Sequence, residues 1–341
     1  MIRLRFAICR DIVCAPLRTA AAADVIVAAV VAGVIIAAAA AGGAAAASFP
    51  ERDITFIIPN QVGGGFDAYV RAIAPAMEKQ FGNKINVVPL NVPAGGGAKG
   101  VSQLYRARPD GYTLGILNIP GLFILQERGG GYDLNKFTWL AGLGKDPYAL
   151  GVPWNSPIKS VADLQALSKT RPVKFTTTGP DGTAYGVTLI ATELLGIRLQ
   201  LITGYKGSSE YVAAAVRGDG DAVITNLPIL ARFEASQSLR IIATFTRDGT
   251  RKDVPDAAAL GQPQLADIMV ERMVAGPPNL PADVKKTLVE IIDKAVNDPA
   301  VVSMSEKSGL GLSLQSPDEV TADIRNQGSF FTKWKKYLVP N

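Results

Sequence analysis

The chain has 341 residues, of which 48% are hydrophobic and 19% are charged, and its formal net charge is +5. This composition is typical of a globular protein and excludes an intrinsically disordered one, while the length predicts about two domains. The small net charge, without a basic run that contains aromatic residues, excludes a nucleic-acid-binding surface.

The chain contains no histidine, and its two cysteines, Cys9 and Cys14, both precede the main body of the sequence. Ser-His-Asp catalysis, Cys-His catalysis and a histidine-ligated metal site are therefore excluded. The remaining Asp, Glu, Lys, Ser and Tyr residues form no recognisable catalytic constellation. We expect a binding protein and not an enzyme, with no catalytic residues, no metal and no cofactor.

Residues 1–47 have the order of a secretory signal peptide. Basic residues come first, the uncharged run Val25–Ala41 follows, and a tract of small residues ends at Ala47. This order predicts cleavage after Ala47 and a periplasmic location for the mature protein. The alternative is an uncleaved membrane anchor, because the uncharged stretch from Val25 to Pro50 is long enough to span a bilayer.

A strand, a glycine turn and a helix open the main body of the chain. Ile54–Ile58 is a short apolar run that predicts a buried strand, and Pro59 ends it. Gly63–Gly65 then leads into a helical pattern that begins near Phe66. A glycine turn at the start of a helix leaves backbone N–H groups unpaired, which predicts an anion-binding turn. The alternative is a connector whose glycines only relieve steric conflict.

Strands and helices alternate along the rest of the body, which predicts an α/β fold with mainly parallel sheets. Ser160 and Ser316 are predicted to cap helices. The other predicted strands are Ile85–Leu90, Tyr112–Leu117, Phe137–Leu143, Tyr148–Val152, Lys174–Thr178, Leu199–Thr203, Asp221–Thr225, Arg240–Thr244 and the crossing segment Met269–Gly276. After the signal peptide, we expect a first lobe in 48–152, a second lobe in 153–268 and a return to the first lobe in 269–341.

Three more glycine turns precede predicted helices, at Gly95–Gly97, Gly179–Thr183 and Gly207–Ser208. Ligands of open α/β sheets lie beyond the carboxyl ends of the strands, where such turns are found. Two of the four turns belong to each half of the body. The sequence therefore predicts two lobes that close around a carboxylate or a similar anion.

Several motifs, in the same order, resemble the substrate-binding proteins of tripartite tricarboxylate transporters, often called the Bug family. The resemblance covers essentially all of residues 48–341. Its motifs are Pro59 followed by Gly64-Gly65-Phe66-Asp67, Pro93–Gly100, Pro109-Asp110-Gly111-Tyr112-Thr113-Leu114, Tyr205-Lys206-Gly207-Ser208, and Asp221 with Asn226-Leu227-Pro228. The chain departs from the family pattern at Asn60–Gly63 and at Thr225, where the family usually has an aspartate.

The resemblance implies a two-lobed periplasmic-binding-protein fold of type II. It also implies that backbone groups and ordered water at the first glycine turn, together with the Gly179–Thr183 turn, hold a ligand carboxylate. The ligand-binding residues expected from the motifs and turns are Gly64, Gly65, Phe66, Asp67, Gly179, Gly182, Thr183, Tyr185, Tyr205, Ser208 and Asn226.

Five polar or aromatic residues near these turns have a purely structural alternative. Phe66 and Tyr185 line a pocket for an aromatic or bulky carboxylate, or they pack into their own helices. Asp67 caps its helix or orders the turn, or it is a solvated acid. Asn226 donates to the ligand, or it caps the following helix. Lys206 adds positive potential, or it is only solvated.

The sequence thus predicts an extracytoplasmic solute receptor, a monomer that closes around a small organic anion and delivers it to a membrane permease. The expected ligand is a mono-, di- or tricarboxylate, aliphatic or aromatic. The alternative is a ligand-sensing partner of a membrane signalling protein on the same scaffold, and an enzyme is disfavoured.

Overall fold

In the computed structural model, residues 49–247, 249, 251–308 and 310–338 are described, so the predicted signal peptide lies outside them. The strands are β1 (Ile54–Ile58), β2 (Val87–Asn91), β3 (Thr113–Ile119), β4 (Thr138–Pro153), β5 (Val173–Thr178), β6 (Leu199–Tyr205), β7 (Val223–Asn226), β8 (Leu239–Thr244) and β9 (Met269–Gly276). The helices are α1 (Gly65–Gln80), α2 (Ala98–Tyr105), α3 (Gly121–Glu127), α4 (Val161–Thr170), α5 (Thr183–Leu194), α6 (Ser208–Arg217), α7 (Leu227–Ala235), α8 (Ala282–Val296), α9 (Pro299–Ser308), α10 (Pro317–Lys333) and α11 (Lys335–Leu338).

The predicted α/β class is confirmed, but the expectation of mainly parallel sheets is wrong. The larger sheet has the order β2-β1-β3-β9-β4-β7, with β8 also paired to β4, and β5 and β6 form a second, parallel pair. β1 is parallel to β2 and β3, whereas β9 is antiparallel to β3 and β4, and β4 is antiparallel to β7 and β8. The sheet is mixed because β4 and β9 carry the chain out of the first lobe and back.

One long strand stands where the sequence predicts two, Phe137–Leu143 and Tyr148–Val152. β4 continues through the intervening residues, including Gly144 and Pro147, which pair with β9. The pairing is regular from Gly144 to Pro147, and its register shifts lie earlier in the strand, between Trp139 and Ala141 and between Gly142 and Gly144. The polar and proline residues between the two predicted strands therefore mark the crossing between lobes and not a loop.

β4 divides the molecule into its two lobes. Thr138–Pro147 pairs with β9, whereas Tyr148–Pro153 pairs with β7 and β8. We call the elements around β1–β3 and β9 the first lobe, and the elements around β5–β8 the second lobe. Because Phe49–Asn341 forms one compact unit, the boundaries predicted from the sequence stay a prediction.

The apolar pattern of the chain explains how α1 is held on the first lobe. Ile54, Phe56 and Ile58 of β1 face one side of the sheet, and Ile57 faces the other, as the period of two requires. α1 buries Ile73 against that first side and packs along α8. The amino terminus of α1 is thereby fixed at the carboxyl end of β1.

The predicted helix caps at Ser160 and Ser316 are confirmed. Ser160 accepts a hydrogen bond from the backbone of Asp163, whose carboxylate accepts one in return, and Ser316 and Glu319 form the same capping box. The sequence reading did not predict α3, a short helix that follows β3 and packs against α5. None of the helices in the described part of the chain combines the length and apolar character needed to cross a bilayer.

Candidate functional site

The first glycine turn, between β1 and α1, is organised around a buried carboxylate. Asp67 is only 2% exposed. Its Oδ2 accepts hydrogen bonds from the Gly63 backbone N–H and from Arg71 Nε, both at 2.8 Å, and its Oδ1 accepts one from Asn91 Nδ2 at 3.0 Å. The structure therefore matches the interpretation in which Asp67 orders the turn, and the interpretation as a solvated acid is wrong.

The protonation state of Asp67 follows from these contacts. Burial raises the pKa of the Asp67 carboxyl, but hydrogen bonds from Arg71, Gly63 and Asn91 outweigh burial and hold the pKa below its usual value. The carboxylate is therefore ionised at neutral pH, and its charge is balanced by Arg71. Gly64 occupies the N-cap position of α1. Because glycine has no side chain, this residue does not cover the first backbone amides of the helix.

The second predicted turn lies against the end of β1 and against the third predicted turn. A Cβ on Gly97 would stand 2.6 Å from the Pro59 carbonyl oxygen, and a Cβ on Gly96 would stand 2.5 Å from the carbonyl oxygen of Asp181. Both glycines also have positive φ angles, which L-residues with side chains rarely adopt. The second turn, in the first lobe, therefore packs between the end of β1, from which the first turn leaves, and the third turn, in the second lobe.

Side chains of the first lobe hold the Gly179–Thr183 turn in this position. Asn118 Nδ2, near the end of β3, donates a hydrogen bond to Thr183 Oγ1 at 2.9 Å. Arg128 Nη1 donates to the Pro180 carbonyl oxygen at 2.5 Å. The sequence reading missed Asn118 and Arg128, although a polar residue at the carboxyl end of a parallel strand was a signal for Asn118.

Gly182 and Tyr185 belong to the start of α5. The Gly182 backbone N–H donates to the Gly179 carbonyl oxygen at 2.9 Å, and a Cβ on Gly182 would stand 2.0 Å from Thr178 Oγ1. The tight turn therefore requires glycine at position 182. The same residue is predicted to face a ligand. The Tyr185 side chain is half-buried, and its role in the pocket stays a prediction.

Phe66 packs into its own lobe. Its side chain is 9% exposed and belongs to the apolar cluster that α1 forms with the sheet. Of the two interpretations of Phe66, the structure therefore matches the packed one. The centre of the ring also lies 5.6 Å from the Arg272 guanidinium carbon.

The fourth predicted turn contributes differently. The Tyr205 hydroxyl donates to Asp219 Oδ2 at 2.8 Å, and the Lys206 backbone N–H donates to Glu210 Oε2. Ser208, half-buried, is the first residue of α6. These contacts lie within the second lobe, and the described contacts do not bring this turn to the other three, so the ligand roles of Tyr205 and Ser208 stay predictions.

Asn226 is buried, with 6% exposure, and ends β7. It occupies the N-cap position of α7, but its side chain makes no capping hydrogen bond, so the capping interpretation is wrong. Its Nδ2 instead donates to Asp146 Oδ2 at 3.3 Å. Asp146 Oδ2 also lies 2.7 Å from Arg272 Nη2. Asn226 of the second lobe is thereby linked to the two crossing strands.

The sequence reading missed Arg272 and Asp146. The adjacent charges of Glu271 and Arg272 in an otherwise apolar strand were the available signal. The two side chains lie on opposite faces of β9, with Arg272 towards α1 and Glu271 beside Lys145 and Asp323. Among the described residues there is no cluster of three or more acidic, His or Cys side chains that could hold a metal ion.

A protein-family model described as "Tripartite tricarboxylate transporter family receptor" matches residues 69–329. The "UPF0065 protein in tcbD-tcbE intergenic region" of Pseudomonas sp. (strain P51) is 27% identical over 303 residues, which cover 86% of this chain and 87% of that relative. The earlier resemblance, drawn from the motifs, is thereby confirmed.

Two solved structures show the same fold. One, titled "Structure of a periplasmic transporter", has a TM-score of 0.69 and 27% identity, and the match covers 83% of this chain and 96% of that chain. The other, an R. palustris protein solved with adipate, has a TM-score of 0.70 and 23% identity, and the match covers 85% of this chain and 98% of that chain. The two-lobed periplasmic-binding-protein fold expected from the sequence is therefore confirmed.

Proposed function

The chain belongs to the tripartite tricarboxylate transporter receptor family, and we propose that it binds a small organic carboxylate between its lobes and delivers it to a membrane permease. Proteins of this family are solute receptors, and we assign the chain no catalytic activity. The R. palustris structure, solved with adipate, supports a carboxylate as the class of ligand.

The observation that carries this proposal is that the second glycine turn, in the first lobe, packs against the end of β1, from which the first turn leaves, and against the third turn, in the second lobe. The first and third turns precede helices of 16 and 12 residues, α1 and α5. The N-cap residue of each helix is a glycine, which has no side chain that could cap the first backbone amides. Backbone amides at the amino terminus of a helix favour an anion. A carboxylate that contacts both turns would stabilise the closed arrangement of the lobes.

We extend the proposal to the site residues and to the organisation of the chain. The turn residues Gly64, Gly65, Gly179, Gly182 and Thr183 contact the carboxylate, and the side chain of Asp67 supports the first turn from behind. The first lobe comprises 48–147 and 269–341, and the second comprises 148–268, because the partners of β4 change after Pro147 from β9 to β7 and β8. The protein is exported by its amino-terminal segment and acts as a monomer.

A thermal-shift panel of the purified protein tests the proposal. Acetate, benzoate, succinate, malate, adipate and citrate are each compared with the uncharged amide of the same acid. A ligand at about 100 times its dissociation constant should raise the unfolding free energy by ~2.7 kcal/mol, which moves the midpoint by a few degrees. If no carboxylate moves the midpoint while an uncharged compound does, the proposed ligand class is wrong.

A further inference from the structure

Arg272 is a buried cation with unused hydrogen-bond donors. The residue is 7% exposed. Its Nη2 pairs with Asp146 Oδ2 at 2.7 Å, whereas its Nε and Nη1 are buried and have no hydrogen-bond partner among the described protein atoms. Burying the donors of a charged group without partners is costly. A ligand acceptor would satisfy the two remaining nitrogens.

The position of Arg272 in the sheet places it near the first turn of α1 and opposite Asn118, which contacts the third glycine turn. Arg272 pairs directly with Asn118 of β3, and directly opposed side chains on adjacent antiparallel strands lie on the same face of the sheet. Asn118 in turn donates to Thr183 at the start of α5. On the other side, the Arg272 guanidinium carbon lies 5.6 Å from the ring of Phe66, in the first turn of α1.

The charges around Arg272 leave this region suited to an anion. The amino terminus of α1 adds a positive partial charge at the same place. The nearest acid of that helix, Asp67, is balanced by Arg71. Asp146 balances the charge of Arg272 but occupies only Nη2. The guanidinium therefore keeps two donors for a further carboxylate.

We propose that Arg272 binds the carboxylate of the ligand directly, together with the amino terminus of α1. This inference rests on the proposed function and specifies its ligand: a solute with a carboxylate that is ionised at neutral pH, bound in strong preference to its uncharged amide. Arg272 is then the specificity-determining residue of the site. Asp146 orients the guanidinium and, through Asn226, connects it to the second lobe.

The test uses the full chain and compares two variants of the crossing strands. Replacing Arg272 alone would leave Asp146 buried without its cation, so the cation is removed in a background where the acid is already neutral. Asp146→Asn is the reference, and Arg272→Gln/Asp146→Asn is the test variant. Isothermal titration measures binding of acetate, succinate, adipate and citrate, and of adipamide as the uncharged analogue of adipate.

Arg240→Gln is the matched control. Arg240 also lies over an aromatic ring, that of Trp154, and also has a buried Nη1 without a partner among the described residues. It lies on β8, where it pairs with Val152 near the end of β4, away from the crossing point at Tyr148. This variant should bind each carboxylate as the wild type does.

We expect Arg272→Gln/Asp146→Asn to bind the carboxylate with the highest affinity in the panel at least about tenfold more weakly than Asp146→Asn binds it. We also expect the preference for adipate over adipamide to fall by a similar factor. Equal affinity of the two variants would overturn the inference and leave the proposed function standing. If the wild type binds no carboxylate at all, the proposed function fails, and the inference fails with it.

Discussion

The side chain of Asp67 orders the first glycine turn. Its carboxylate receives the Gly63 backbone N–H, the Arg71 guanidinium and the Asn91 amide. Sequence alone could not separate this role from that of a solvated first-turn acid, because both place an aspartate at the third position of a helix. The distinction depends on Asn91 of β2, 24 positions away.

Asp67→Asn should lower the unfolding free energy by about 1–3 kcal/mol. The amide keeps the shape of the side chain but loses two charge-assisted hydrogen bonds inside a buried network. Urea denaturation measures the change. Asp318→Asn is the control, because Asp318 is an exposed first-turn acid of α10, and it should change the unfolding free energy by no more than about 0.5 kcal/mol.

The Asp67 carboxylate also makes the unfolding free energy depend on pH, and the direction of this dependence follows from its lowered pKa. Because the folded pKa of Asp67 lies below its usual value, its contribution is fully present above the pKa of the unfolded chain, about 3.9. The contribution is lost as the pH falls through the folded pKa. Denaturation midpoints between pH 7 and pH 3 should fall less steeply for Asp67→Asn than for the wild type. A parallel fall in both proteins would contradict this assignment.

The two crossing strands, β4 and β9, are joined by an ion pair between Lys145 and Glu271. Glu271 on β9 is 1% exposed, and its Oε1 lies 2.9 Å from Lys145 Nζ on β4, which also contacts Asp323 of α10 at 3.0 Å. Burial raises the pKa of Glu271, although Lys145 opposes the shift. Removing one partner of a buried ion pair costs more than removing both.

Lys145→Met should therefore lower the unfolding free energy by about 3–5 kcal/mol at pH 7, and Lys145→Met/Glu271→Gln should recover most of the loss. The deficit of the single variant should shrink as the pH falls towards 5, because Glu271 without its cation binds a proton more readily in the folded protein than in the unfolded chain. Urea denaturation at both pH values measures this. A double variant no more stable than the single one would show that the pair is not coupled.

How well each element could be predicted depends on how local its signal is. The strand Ile54–Ile58 and the capped helices after Ser160 and Ser316 follow from apolar runs and capping boxes a few residues long. β4 was misread because Gly144–Pro147 has the composition of a turn. Only its pairing with β9, more than 120 positions away, keeps this segment extended.

Gly121, in the first lobe, lies very close to Thr183 of the second lobe. A Cβ on this residue would stand 2.0 Å from Thr183 Oγ1. Its φ angle is not in the left-handed region, so alanine is accommodated by the backbone itself. The conflict of Gly121→Ala is therefore with the second lobe.

We expect Gly121→Ala to hold the lobes apart and to weaken carboxylate binding by about tenfold, the effect of an overpacked contact. Small-angle scattering with and without ligand measures closure, and titration measures affinity. Gly121→Ala/Thr183→Ala removes the nearest clashing atom and should regain part of the closure. If the single variant closes and binds as the wild type does, Gly121 and Thr183 do not meet when the ligand is bound.

The candidate site was predictable in part at this scale. The order of the motifs identified the glycine turns, and the structure places the second against the third and against the end of β1, from which the first turn leaves. The sequence signals for Asn118 and Arg272 mark polar residues in or at the end of apolar strands, but no local pattern shows which other residues their side chains, or that of Asp146, contact. Their roles follow from strand register and from contacts between lobes.

The two lobes are proposed to enclose a solute that is recognised by its negative charge. Isothermal titration of the purified protein with each carboxylate of the panel and with its uncharged amide measures this recognition. We expect saturable binding of one carboxylate per chain, with at least about tenfold weaker binding of the matching amide. Binding of the amide as tightly as the acid, or of an uncharged compound alone, would contradict it.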